Sequence, residues 1–290
     1  MAILGKRIDK KRQPGGRKKT TTSLLYAPFS AAKPDFPFLT FLLAIPASLD
    51  YNRSIGEDSR TSVFFGDRGV STDSARPPFL LVLYRRYLER QDSAEFVRET
   101  AARYTTGTLE RLARHVRREI RRAAALSLGF LGDYESNAAL GHALLDPDRT
   151  VRTLAENGIR NVWTRAGNEG ERTELAVILR LNAAQLHRDA VTHASHLIER
   201  APWFAEAWHQ RAVAHAALGR LVESIRDCHQ TLEINPYHFV AATSMGQSYL
   251  QLENNVSALE CFRRALRLNP CLEGVRAQVI RLTRRVEGNR

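Results

Sequence analysis

Pro202, Pro236 and Pro270 recur at a constant offset of 34, and that recurrence constrains this chain more than any other feature. Each proline closes a stretch of helical apolar spacing, and the last two follow an asparagine, Asn235 and Asn269. Proline cannot continue a helix. A fixed period of this length therefore signals stacked helical hairpins, because one hairpin cannot bury its apolar face alone and its neighbours must complete the core. Aligned on the prolines, the units run from about Glu171 to Pro202, Ala205 to Pro236 and Phe239 to Pro270. Stacked hairpins make a groove, so the period points to a binding surface without naming its occupant.

The third unit is the clearest. Gly246 is small where two helices approach closely, Tyr249 is the large residue expected beside it, and Ala258, Phe262 and Ala265 share one helix face. In the second unit Trp208, Ala212, Leu232 and Pro236 hold corresponding places, with Gly219 at the turn between helices. In the first only Ala190, Leu197 and Pro202 match. These residues and the proline period resemble the tetratricopeptide repeat family from Glu171 to Asn269. Arg211, Ala212, His215, Ser224, Cys228 and Thr231 depart from its pattern and suggest a less regular second hairpin. After Pro270, Val275, Val279, Ile280 and Leu282 alternate with arginines, as in a capping helix with a polar outer face.

A second period lies upstream. Glu119–Gly129 and Thr150–Arg160 pair at an offset of 31, matching Ile120 with Val151, Arg121 with Arg152, Ala124 with Ala155 and Leu128 with Ile159. Between them Pro147 ends a helix, and Asp148 or Thr150 can cap the next. This is similar to short HEAT repeats over roughly Thr108 to Gly167. The resemblance implies an Asp–Arg ladder between repeats, for which Asp148 and Arg152 stand in place, while Arg117 sits where the earlier copy needs its Asp.

The expected fold is all-α, an α-solenoid of HEAT-like repeats followed by about three tetratricopeptide-like repeats and a capping helix. No alternating strand pattern occurs from Phe79 onward. Residues 79–168 form the first array and residues 169–290 the second, joined at Gly167–Gly170, too short for a flexible linker. Residues 1–78 differ. The stretch 1–19 carries eight Lys or Arg and one Asp, more than half of the chain's net +12, and with Pro14, Gly15 and Gly16 reads as a disordered basic arm. The apolar run Phe36–Ser48 is too short to span a bilayer. Ile45–Ala47 resembles a small-residue cleavage site, so secretion is the minority expectation beside a cytoplasmic one. No Met occurs between Met1 and Met245, which leads to the expectation of a start downstream, near Leu24 or past the apolar run. A native peptide beginning at Met1 or Ala2 would refute it.

The chain offers no pattern for catalysis. Cys228, Cys261 and Cys271 include no C-x-x-C pair and read as small buried apolar residues of a reducing compartment. His193 and His196 share a helix face with no convergent carboxylate, and His187 points elsewhere, so no metal is expected. Asp227, Cys228 and His229 are adjacent, and helical neighbours diverge by about 100°, which forbids a relay. No phosphate loop, nucleophile elbow, zinc-protease motif or dinucleotide fingerprint is present. Neither enzymatic activity nor a cofactor is expected.

Two binding surfaces remain. The family resemblance implies that the first helix of each hairpin lines the concave face, which here means Glu206, His209, Val213 and Ala216, then Val240, Thr243, Gln247 and Leu250. Some members grip a partner's terminal carboxylate with Lys and Asn there. This chain has Leu175, Leu179, His209, Val213, Thr243 and Gln247, so that clamp is rejected in favour of a mixed apolar and polar peptide or helix. The alternative is a nucleic acid or anionic surface, met by the basic arm and by Arg114, Arg117, Arg118, Arg121 and Arg122. Against it, those arginines also suit a solvated face paired to Glu110 and Glu119, and no aromatic side chains interleave with them.

Overall fold

The computed structural model describes residues 77–288. The basic arm, the apolar run and the downstream-start question lie outside them. Among the described residues there are thirteen α-helices and no strand. The first array comprises α1 (Leu80–Arg90), α2 (Ser93–Ala101), α3 (Thr106–Leu112), α4 (Arg118–Leu131), α5 (Asn137–Ala143) and α6 (Arg149–Arg165). The second comprises the hairpins α7 (Glu169–Ala183) with α8 (His187–Arg200), α9 (Ala205–Ala217) with α10 (Leu221–Ile234), and α11 (Phe239–Gln251) with α12 (Asn255–Leu268). Helix α13 (Glu273–Glu287) closes it.

Local chemistry sets the boundaries. Asn168 caps α7 in a capping box with Glu171. Asp148, the first of the two candidates, caps α6 through the Val151 amide at 3.0 Å. Each hairpin turns through one residue in the left-handed region, Gln185, Gly219 and Glu253, at the same interval as the prolines, and only the middle one is glycine.

In the first array α4 packs on α6 where two glycines meet, and a Cβ on Gly129 would lie 3.0 Å from the Gly158 Cα. The upstream period has a structural meaning. Arg121 donates to the carbonyls of His115 and Val116, and Arg152 donates to those of Asp146 and Pro147, each tying down the turn that precedes its own helix. Asp–Arg pairs do join the two copies, through Asp148 and its neighbour Asp146, while Arg152 takes no carboxylate among the described residues. Asp148 takes the Arg122 guanidinium at 2.9 and 2.6 Å, and Asp146 takes Arg121 at 2.7 and 2.9 Å. Two arginines of α4 thus reach forward to the acidic turn before α6, and Arg152 is left to donate to Cys271 Sγ at 3.1 Å.

In the second array a Cβ on Gly246 would lie 2.7 Å from the Phe262 ring, so Phe262 and not Tyr249 fills the close approach, with Tyr249 packed at the margin of the same core. Arg211, a departure from the family pattern, holds its hairpin together by a two-pronged bond to Asp227 at 2.7 and 2.9 Å and lies over the Trp208 ring. Cys228 and Cys261 are buried and Cys271 half-buried; burial pushes the Cys228 thiol up to about 12 and the Cys261 thiol up to about 11, as inert packing groups.

The arrays pack side by side along the turns that hold the period-defining prolines. Trp163 of α6 stacks on His238 at 4.0 Å and meets Phe239 at 5.3 Å. Its indole donates to Asn137, which donates to Asn235. Tyr134 donates to the Ile234 carbonyl, and the Tyr237 ring lies where a Cβ on Gly141 would sit. Arg160 lies over the Phe239 ring. Helix α6 therefore runs against the direction of the array, its end near α7 and its start near α13.

Candidate partner-binding groove

The proline period carries side chains into rows along the first helices. One row is Leu179, Val213 and Gln247, and a second is Asn182, Ala216 and Leu250, with Val240 and Thr243 beside them on α11. Val213, Val240, Thr243, Gln247 and Leu250 are all half-buried. Thr243 returns its hydroxyl to the Phe239 carbonyl, and Leu250 packs on the core of the last hairpins. None of the five is charged.

Glu206 and His209 behave differently. The family pattern expects both on the open face, and both are buried, at 6% and 5% exposure, against the chain itself. The Glu206 carboxylate accepts from His238 Nε2 at 2.9 Å and from Gln210 at 2.7 Å, and His209 Nδ1 stands 3.3 Å away. Helix α6 packs on α9 beside them, and Trp163 stacks on His238. Burial alone would raise the Glu206 carboxyl, but the His209 and His238 imidazoles outweigh it and hold it well below the usual carboxylate range. Burial pushes His238 down to about 4 against the opposing hydrogen bond that it donates to Glu206.

Glu206, His209 and His238 bring their donor atoms within 4.8 Å of one another, a constellation with metal-ligand chemistry. The His238 ring argues against a metal there. Its Nδ1 accepts the Ala241 amide at 3.0 Å as the cap of α11, so its proton is on Nε2, aimed at Glu206. Both nitrogens are committed, and the trio is a hydrogen-bond network. Nothing in the sequence singles out His238 and Trp163, which stand in different arrays and belong to no motif. The histidines of α8 do not converge: His187 faces Asn182 and His193 faces Glu174.

The arginine cluster divides. Arg121 and Arg122 are half-buried and bound to Asp146 and Asp148, so they hold the array together. Arg114, Arg117 and Arg118 are exposed, Arg118 beside Glu119 at 3.1 Å. Glu110 accepts from Ser136 and takes no arginine among the described residues.

No protein-family model matches the chain. A TPR repeat-containing protein of Rhizobium etli is 26% identical over 145 residues, 50% of this chain and 70% of that protein. Hsp70-Hsp90 organizing protein 1 of Glycine max is 27% identical over 36% of this chain, which spans only 19% of it. Among solved structures, the yeast Sti1 TPR2AB domain in complex with pHSP90 is matched over 70% of this chain and 97% of that one, at 15% identity and a TM-score of 0.37. MamA of Desulfovibrio magneticus is matched over 65% and 94%, at 19% identity and a TM-score of 0.31.

Proposed function

With the C-terminal half of the chain an array of tetratricopeptide repeats, we propose that the protein is a non-catalytic scaffold whose first-helix face holds a segment of a partner protein. One observation supports the reading: Val213, Val240, Thr243, Gln247 and Leu250 are uncharged and half-buried on the first helices, while Glu206 and His209 on α9 are buried. An extended or helical segment with apolar anchors suits such a face. The Glycine max relative is named for organizing Hsp70 and Hsp90. That role is not carried over, because Leu175, Leu179, His209, Val213, Thr243 and Gln247 supply neither Lys nor Asn for gripping a terminal carboxylate. The cytoplasm is the proposed compartment; among the described residues no helix is long and apolar enough to cross a membrane.

The test is capture from native lysate, split with and without nuclease, on the full chain, followed by cross-linking of whatever is held. A discrete protein cross-linked to α9 and α11, and lost with Val213→Glu plus Gln247→Arg, supports the groove. The polyanion reading draws support from Arg114, Arg117 and Arg118, which remain exposed. It takes over if reversing those three charges abolishes capture, nuclease removes it, and it falls steeply with salt.

A further inference from the structure

The groove does not end at α11. The turn Asn269–Cys271 repeats the turn Asn235–Tyr237: the Cys271 amide bonds Asn269 Oδ1 at 3.0 Å, as the Tyr237 amide bonds Asn235 Oδ1 at 3.1 Å. The Glu273 amide then bonds the Cys271 carbonyl as the Phe239 amide bonds the Tyr237 carbonyl. Helix α13 packs on α12 as α11 packs on α10, and its buried Val275 and Leu282 fall one full period after the buried Ala241 and Ser248. So α13 stands where the first helix of a fourth hairpin would, in the same rotational register.

That register extends the rows. Leu179, Val213 and Gln247 continue to Arg281, and Asn182, Ala216 and Leu250 continue to Arg284. Both arginines are exposed. Arg281 has one neutral partner, Gln278, and neither forms an ion pair among the described residues. The face is thus uncharged over α9 and α11 and cationic at α13. A guanidinium in such a place has its donors open to a carboxylate.

We propose that Arg281 and Arg284 form an acid-accepting end to the groove, so that the bound segment is an apolar stretch followed by Asp or Glu side chains, laid with its acidic end on α13. This rests on the groove reading and specifies the partner's chemistry. Charge complementarity orients the segment and sets its register, while the apolar rows on α9 and α11 supply contact area.

The test is selection of an amidated random-peptide display library on the full chain, with three immobilised baits: wild type, Arg281→Glu plus Arg284→Glu, and Val213→Glu plus Gln247→Arg. All four changes lie on exposed or half-buried positions, and thermal melting confirms that each bait is folded. Wild type should enrich peptides with an apolar stretch followed by acidic residues. The α13 variant should bind those peptides about tenfold more weakly and lose the acidic enrichment. Enriched peptides without an acidic end, or acidic enrichment that survives the α13 variant, overturn the proposal while the groove stands. Peptides that bind the α9/α11 variant as well as wild type, or no enrichment at all, overturn the groove reading and this one with it. Acidic peptides selected without an apolar stretch mark a general polyanion surface and also overturn it.

Discussion

At the residue scale, the hairpin turns and the buried Glu206 network yield the sharpest expectations. Gln185, Gly219 and Glu253 occupy one left-handed position in three successive turns. A side chain there costs about 1 kcal/mol. Gly219→Ala should therefore destabilise by about 1 kcal/mol and Glu253→Gly stabilise by a similar amount, both read from denaturant midpoints. Gly219 is legible as a turn residue, but the other two turns hold Gln and Glu, which carry no turn signal in a sequence. The network predicts acid lability. Glu206 is held below its ordinary 4.5, so its contribution is present above that pH and lost as pH falls through the lower folded value. His238 is depressed from 6.5 to about 4, so it stays neutral when folded while the unfolded chain takes up a proton, and stability falls between pH 6.5 and 4. Both groups act in the same direction. The melting temperature should drop monotonically from pH 7 to 4, and His238→Asn, which keeps a capping oxygen and an N–H for Glu206, should flatten that drop. An unchanged profile in the variant would place the acid sensitivity elsewhere.

At the element scale, the arginines of α4 show how a correct reading of composition assigns the wrong work to particular side chains. Five arginines in a short stretch suggest a charged face, yet Arg121 and Arg122 turn back to Asp146 and Asp148 in the turn before α6. Helical spacing shows which residues share a face but not what the next hairpin brings against it. Arg121 donates to two carboxylate oxygens and two carbonyls. Arg121→Ala should cost about 2–3 kcal/mol, because it leaves Asp146 partly buried without its partner. Arg114→Ala, on an exposed side chain, should fall within about 0.5 kcal/mol of wild type. Equal effects in urea titrations would mean that the two arginines are equivalent after all.

At the scale of the whole molecule, the repeats and the seam between the arrays answer to different information. The repeats are legible because their contacts are local and recur: a proline once per hairpin, a glycine where helices cross, an arginine that ties down its own preceding turn. The seam is not, since its contacts join positions far apart in the chain, Asn137 to Asn235 and Arg152 to Cys271, and each occurs once. It also packs against the network that buries Glu206 and His209, which is why the sequence alone puts them on an exposed face. Repeat arrays held only by nearest-neighbour contacts unfold in stages when their units differ in stability. Here α6 touches α7, α9 and the turns before α11 and α13, so it couples hairpins that do not touch one another. The full chain should therefore unfold in one cooperative transition, with tryptophan fluorescence and circular dichroism coinciding. Trp163→Ala removes the largest side chain of the seam and should cost about 3–5 kcal/mol there. Combined with Asn137→Ala it should split the transition in two, with amides at the start of α11 losing hydrogen-exchange protection before those of α4. A single transition that merely shifts to lower denaturant would mean that the arrays are coupled by something other than this seam.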